Sequence, residues 1–256
     1  MPPYQKWVSK FEIKPGSWVF VPSSQSISSG NRIKADIERI WQPPKNYFHL
    51  RNGGHVTAIK MHCRSRSFIH LDIKDFFGSI NRSRVTRCLK QYYSYAVARI
   101  IANQSTVLLP ESSPAKFILP FGFVQSPIIA SLCLHKSYLG ETITKLSNTV
   151  GINLSVYMDD IIISLNDQQK ADMVLERVQD AAERSSFLLN PAKTEGPAEQ
   201  ITSFNINLSH DNIEIEQERF DKFKNDYNSA TANSHQKQGY KNYIKSVNPN
   251  QSTLLI

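Results

Sequence analysis

At 256 residues with 40% hydrophobic content, the chain is long enough for one large or two small domains and apolar enough to fold around a real core. Its net charge of +8 is uneven: residues 1–100 carry 17 Lys and Arg against 5 Asp and Glu, whereas residues 101–256 carry 13 against 17. A basic front beside an acidic back fits a polyanion partner with metal-binding carboxylates, and equally a solvated lysine-rich surface. Cys63, Cys88 and Cys133 form no CxxC pair, which argues against a disulfide framework or zinc knuckle and places the chain in a reducing cytoplasm. The N-terminal "MPPYQKWVSKFEIK" lacks the apolar core of a signal peptide. The longest uncharged run, "FILPFGFVQSPIIASLCL", is broken by Pro120, Gly122, Gln125, Ser126 and Pro127, so it reads as a loop entering a buried helix, with no membrane partner.

In chain order, "FEIKPGSWVFV" predicts two short strands around a Pro-Gly turn, and "NRIKADIERIWQPP" a helix halted by prolines. "HVTAIKMH" and "SFIHLDI" read as extended segments, and "RNGGH" as a turn. Apolar groups at helical spacing predict one helix over "NRSRVTRCLKQYYSYAVARIIAN", with Asn81 as cap, and another over "SPIIASLCLHKSYLGETITKL". "LSVYMDDIIISL" predicts a hairpin, "DQQKADMVLERVQDAAERSS" an amphipathic helix, and "TSFNINLSHDNIEIE" two strands across an Asp-Asn turn. Residues 225–253, poor in apolar groups, read as a linker or frayed tail. This order predicts an α+β layer with helices on one face of an antiparallel sheet and the other face open to a ligand.

Asp159 and Asp160 interrupt an otherwise apolar strand pattern, and burying an unpaired carboxylate costs several kcal/mol or more. A turn at Met158 and Asp159 would place the acids at the hairpin tip. Asp72 ends another β-rich run, with Asp75 three residues on, so acids from two segments can converge on hard cations such as Mg²⁺.

"LDIKDFF", "LPFGFVQSP", "YMDD" and "LNPAKTE", in this order over residues 68–196, resemble motifs A to D of reverse transcriptases, nearest the bacterial retron, group II intron and defence-associated branch. The resemblance implies a right-hand polymerase palm over 68–224, compact fingers over 1–67, and 225–256 as a palm-to-thumb linker or tail, with the thumb absent or vestigial. It implies RNA-directed DNA synthesis from dNTPs with two Mg²⁺ ions, Mn²⁺ being an alternative. Asp72, Asp159 and auxiliary Asp160 would hold the metals with the Ile73 carbonyl, and Lys193 would protonate the departing pyrophosphate. Asp75, Phe76 and the steric-gate Phe77 match the nucleotide pocket, as do Phe121, Gly122 and Gln125. Tyr157 and Met158 would pack near the primer terminus.

Phe121 stands where the family usually has a glutamine, which opens the alternative of template-independent or protein-templated synthesis. A polymerase-derived nucleic-acid-binding scaffold is the non-enzyme alternative. Lys60, Arg64 and Arg66 are candidates for triphosphate or template contact, or for a solvated strand edge. Implied partners are RNA and DNA, including a dedicated noncoding RNA, and a protein or second copy replacing the thumb. The "FGFVQSP" wording points to antiphage immunity.

Overall fold

The computed structural model describes residues 5–110, 112–229 and 233–255. The chain opens with a two-stranded ribbon, β1 (Trp7–Lys14) and β2 (Ser17–Pro22), turned at Pro15 and Gly16. Helix α1 (Ser24–Ile40) starts earlier than the proline-bounded pattern suggests, because the Ser23 side chain accepts from the Ser26 N–H. Next, α2 (Gly54–Lys60) is helical where strand was predicted. Gly53 at φ +95° turns the chain into it, so "RNGGH" does lead into a helix, and Ala58 and Ile59 are buried.

Strand β3 (Ser67–Asp72) is buried along its whole length. The short turn α3 (Phe76–Ser79) follows, then α4 (Arg82–Leu89) and α5 (Tyr95–Ser105), two helices where one was predicted. Asn81 caps the first as expected; Ser94 caps the second and fixes the break. Strands β4 (Val107–Leu108) and β5 (Phe117–Ile118) pair briefly. The second predicted long helix also divides, into α6 (Ser126–His135) and α7 (Tyr138–Ser147), where the Ser137 hydroxyl accepts from the Gly140 N–H.

The predicted hairpin forms as β6 (Asn153–Tyr157) and β7 (Asp160–Leu165), followed by α8 (Gln168–Arg184) behind an Asp167 cap. After β8 (Glu195–Ala198) come three strands rather than two: β9 (Gln200–Ser203), β10 (Ile206–Ser209) and β11 (Asn212–Ile215). They turn at Phe204–Asn205, both at positive φ, and at His210–Asp211.

The segment read as a tail is helical: α9 (Gln217–Asn228), α10 (Ser234–Val247) and α11 (Pro249–Ser252). Asn233 and Gln236 close a capping box, and Ile244 and Val247 supply the buried contacts that so polar a sequence hides.

The central sheet is antiparallel in the order β6-β7-β3-β8. Strand alternation divides its faces. Ile69, Leu71, Ile161 and Ile163 pack with α1, α4 to α6 and α8 in the main core, matching the predicted helical face. The opposite face is open only in part. Phe68 and Ile162 on that face are covered by Ile59, Ile201, Leu208, Phe220 and Ile244, which form a second core, and only the end bearing Asp72 and Asp160 is left free.

Candidate active site

Tyr157 pairs with Asp160 across the hairpin, so Met158 and Asp159 are the two-residue turn, and Asp160 pairs in turn with Asp72 on β3. The three acids therefore meet at one sheet end, each in a different electrostatic setting.

Asp72, 3% exposed, is compensated: Lys193 Nζ donates to Oδ2 at 2.8 Å and Asn190 Nδ2 to Oδ1 at 3.1 Å. The Asn190 N–H also donates to the Asp72 carbonyl at 2.8 Å, so the "LNPAKTE" loop wraps the end of β3. The Asp72 carboxylate in turn holds the Lys193 ammonium above its usual range. Asp160 Oδ1 sits 2.7 Å from Nε2 of buried His70. Among the described residues Asp159 has no such side-chain partner, only its own backbone N–H. Burial, then the neighbouring Asp160 charge, raises its carboxyl to about 6, Asp72 adding to the shift and Lys193 opposing it.

Asp72 and Asp159 open into a cavity of about 510 Å³ between the palm sheet and the ribbon. Ile73, Asp75, Phe76 and Lys193 line its floor, and Ile13, Lys14 and Val19 its roof. Asp75 sits at φ +48° before α3, and burial raises its carboxyl while Lys116 and the Gly78 N–H offset the rise. Phe76 and Phe77 lie in a helical turn, and both are buried. Phe77 backs Phe121, edge to face with centroids 4.7 Å apart, and Phe121, 42% exposed, stands in the cavity wall.

Other candidates lie elsewhere. Gly122, at φ +100°, meets the fingers ribbon: an added Cβ would lie 2.4 Å from the Phe20 carbonyl oxygen. Gln125 is 1% exposed beneath Gly30 of α1, its Nε2 3.4 Å from Ser105 Oγ, so it is interior rather than nucleotide-facing. Lys60, Arg64 and Arg66 are exposed, but they precede β3; at about 3.3 Å per strand residue, Arg66 is roughly 20 Å from Asp72. None of the three lines the acid-bearing cavity. Tyr157 packs among His49, His55 and Phe204. His62 is wedged between Ser155 and Ser164, 2.8 Å from each hydroxyl.

Two partners of the acids, His70 and Asn190, and one partner of the turn, His49, escape sequence reading. Only His70 leaves a signal, standing two residues before Asp72 on the same strand face. His49 acts through Met158, which is held at φ +60°, a region that costs a side-chain-bearing residue roughly 1–3 kcal/mol. Ser131 Oγ donates to the Pro127 carbonyl at 2.8 Å, so it accepts from His49 Nε2–H at 2.6 Å, leaving Nδ1 to accept the Met158 N–H at 3.0 Å. Burial lowers His49 to about 4 against an opposing backbone hydrogen bond at Val156, so the ring is neutral at physiological pH. The Ile73 N–H, donating to the Asp159 carbonyl at 2.9 Å, pins the turn from the other side. His49→Leu should lower kcat on the order of tenfold to a hundredfold, while His49→Asn, which keeps an acceptor near Nδ1, should recover most of it. Equal loss in both variants would show that ring packing, not the bond to Met158, matters.

Among the described residues, no three His, Cys, Asp or Glu side chains converge as a ready metal cage. The donor set still fits a hard divalent cation: three carboxylates, Asp72, Asp75 and Asp159, line one cavity, and Asp159 is crowded by like charge.

Residues 28–214 match the reverse transcriptase (RNA-dependent DNA polymerase) family, and the chain belongs to that family. Among solved structures it is similar to the foamy viral protease-reverse transcriptase in complex with double-stranded DNA, at 16% identity and TM-score 0.52, covering 89% of this chain and 34% of that one. It is also similar to apo telomerase from Candida tropicalis, at 9% identity and TM-score 0.55, covering 87% of this chain and 43% of that one. The chain thus spans less than half the length of these structures, and the likeness establishes the shared fold, a palm with fingers. No described helix is long and apolar enough to cross a membrane.

Proposed function

We propose that the chain is an RNA-directed DNA polymerase that adds dNMP units from dNTPs to a nucleic-acid 3′-hydroxyl with loss of pyrophosphate. The observation that carries this reading is the placement of Asp72, at a strand end, and Asp159, in a hairpin turn, on one cavity roofed by the β1–β2 ribbon. Asp72 and Asp159 would hold divalent cations, Mg²⁺ or Mn²⁺, with Asp160 and the Ile73 carbonyl as auxiliary oxygens. Such cations supply Lewis-acid activation of the attacking hydroxyl and neutralise triphosphate charge.

The chain's own groups do the rest. Asp75 and Phe76 form the nucleotide floor, and the Phe77–Phe121 ring pair crowds the sugar and excludes a 2′-hydroxyl. Lys193, released from Asp72, gives its Nζ proton to the departing pyrophosphate oxygen. Lys193→Gln should therefore lower kcat by about 10² or more with little change in the KM for dNTP. A rise in KM alone would assign the lysine to binding.

Incorporation of each labelled dNTP by protein from its native host, before and after RNase treatment and followed by product sequencing, tests the reading. RNase-sensitive DNA of complex sequence supports it. RNase-resistant, low-complexity DNA would favour protein-templated synthesis, a second reading motivated by the exposed Phe121 ring in the cavity wall. The resemblance of "FGFVQSP" to defence-associated enzymes supports antiphage immunity as the setting, with a dedicated noncoding RNA as template.

A further inference from the structure

On the outer side of Asp75 lies a second cavity, of about 560 Å³, which shares Lys74 and Asp75 with the first. Its walls carry four cationic side chains, Lys74, Arg84, Arg87 and Lys116, against the single acid Asp75. None of the four is in a salt bridge among the described residues.

Arg84 is the informative member. Its Nη2 donates to the Ser185 carbonyl at 2.6 Å and its guanidinium lies over the Phe187 ring, which fixes the side chain. Its Nη1 is buried without a hydrogen-bond partner. Arg87 stands close enough to act on Arg84 as a like charge, and Ser83, on the first turn of α4, adds a hydroxyl at the positive end of that helix. Crowded cations, none of them ion-paired among the described residues, and a helix N-terminus in one concavity call for a compact anion with several oxygens.

We propose that this cavity binds inorganic pyrophosphate as it leaves the catalytic cavity. The assignment of pyrophosphate rests on the polymerase reading; the anion site itself does not. The shared wall of Lys74 and Asp75 supplies the route, since an anion displaced past Asp75 enters a space whose other walls are positive. The consequence is product retention: pyrophosphate held here stays next to the reacting end, which strengthens product inhibition and favours the reverse reaction.

The test is calorimetric titration of the full chain with inorganic pyrophosphate, without nucleotide or divalent cation, so that a failure of the polymerase reading leaves the measurement intact. Arg87 and Lys116 are exposed, and the double variant Arg87→Glu with Lys116→Glu should fold, as checked by thermal melting; Lys116→Ala is the milder second variant. The expected result is one pyrophosphate per chain, at least tenfold weaker binding in the double variant, a smaller loss in Lys116→Ala, and little change in Lys193→Ala. In the active enzyme the double variant should raise the inhibition constant for pyrophosphate about tenfold with the KM for dNTP unchanged. No binding by the wild type, unchanged affinity in the double variant, or loss confined to Lys193→Ala would overturn the proposal, the last by placing the anion in the catalytic cavity.

Discussion

Asp159→Asn should abolish nucleotide incorporation and at the same time raise the melting temperature at pH 8. The Asp159 carboxyl titrates near 3.8 in the unfolded chain and near 6 in the fold, pushed up by burial and by Asp160 and Asp72. A raised acid favours the folded state at low pH, and this contribution is lost as the pH climbs from about 4 to about 6. Above that window the ionised group costs at most about 3 kcal/mol, at 1.36 kcal/mol per pH unit. Asparagine is nearly isosteric and does not ionise. The difference in melting temperature between variant and wild type should therefore be near zero at pH 4 and clearly positive at pH 8. Added Mg²⁺ should narrow it by stabilising the wild type alone. Residual incorporation in the variant, or a lower melting temperature at pH 8, would refute the account of the site.

Gly122→Ala should detach the fingers ribbon from the palm. Phe20 of β2 donates its N–H to the Phe121 carbonyl at 3.1 Å, Val19 and Phe121 form a parallel bridge, and the next residue must pass beneath the Phe20 carbonyl. At φ +100° any side chain is strained by about 1–3 kcal/mol, and the methyl group would also press on a backbone oxygen that no rotamer change can move aside. The ribbon has few other anchors: Lys6 Nζ donates to the Thr106 carbonyl at 2.8 Å and to Asn103, and Phe20 packs with Val107 and Phe123. Hydrogen exchange in β1 and β2 should accelerate by an order of magnitude or more while β3, β6 and β7 stay protected, and the KM for dNTP should rise because the cavity loses its roof. Unchanged exchange in the ribbon would show that the contact does not hold it.

Much of the palm can be read from residue order alone. The runs that become β3 and β7 alternate between two buried faces, the first ending and the second beginning in an acid, so both the strands and the convergence of Asp72 with Asp159 are legible. Helix α2 is misread because a seven-residue apolar-polar mixture fits either period, and the decisive feature is the φ of Gly53. The C-terminal helices hide because α10 buries only Ile244 and Val247, leaning its tyrosines on neighbours for the rest. Within the site, motif order identifies the acids but not their partners: His49 lies 109 residues from Met158, and Lys193 lies 121 from Asp72. Motif membership also does not tell which member lines the cavity: Gln125 is buried beneath α1, and Gly122 lies against the Phe20 carbonyl.

The two-sided burial of the central sheet sets a timetable for synthesis. All of β3, β6 and β7 have left the ribosome's decoding centre by residue 165, and the main core can close soon afterwards with α8. Phe68 and Ile162 remain bare on the other face, for most of their cover is encoded after residue 200. The nascent polypeptide therefore passes through a stage in which a paired sheet exposes an apolar face, the kind of surface that recruits chaperones or sticks to its neighbours. Slow translation of the last third would prolong that stage, so the yield of soluble protein should depend on codon usage after residue 200 far more than on codon usage before residue 60.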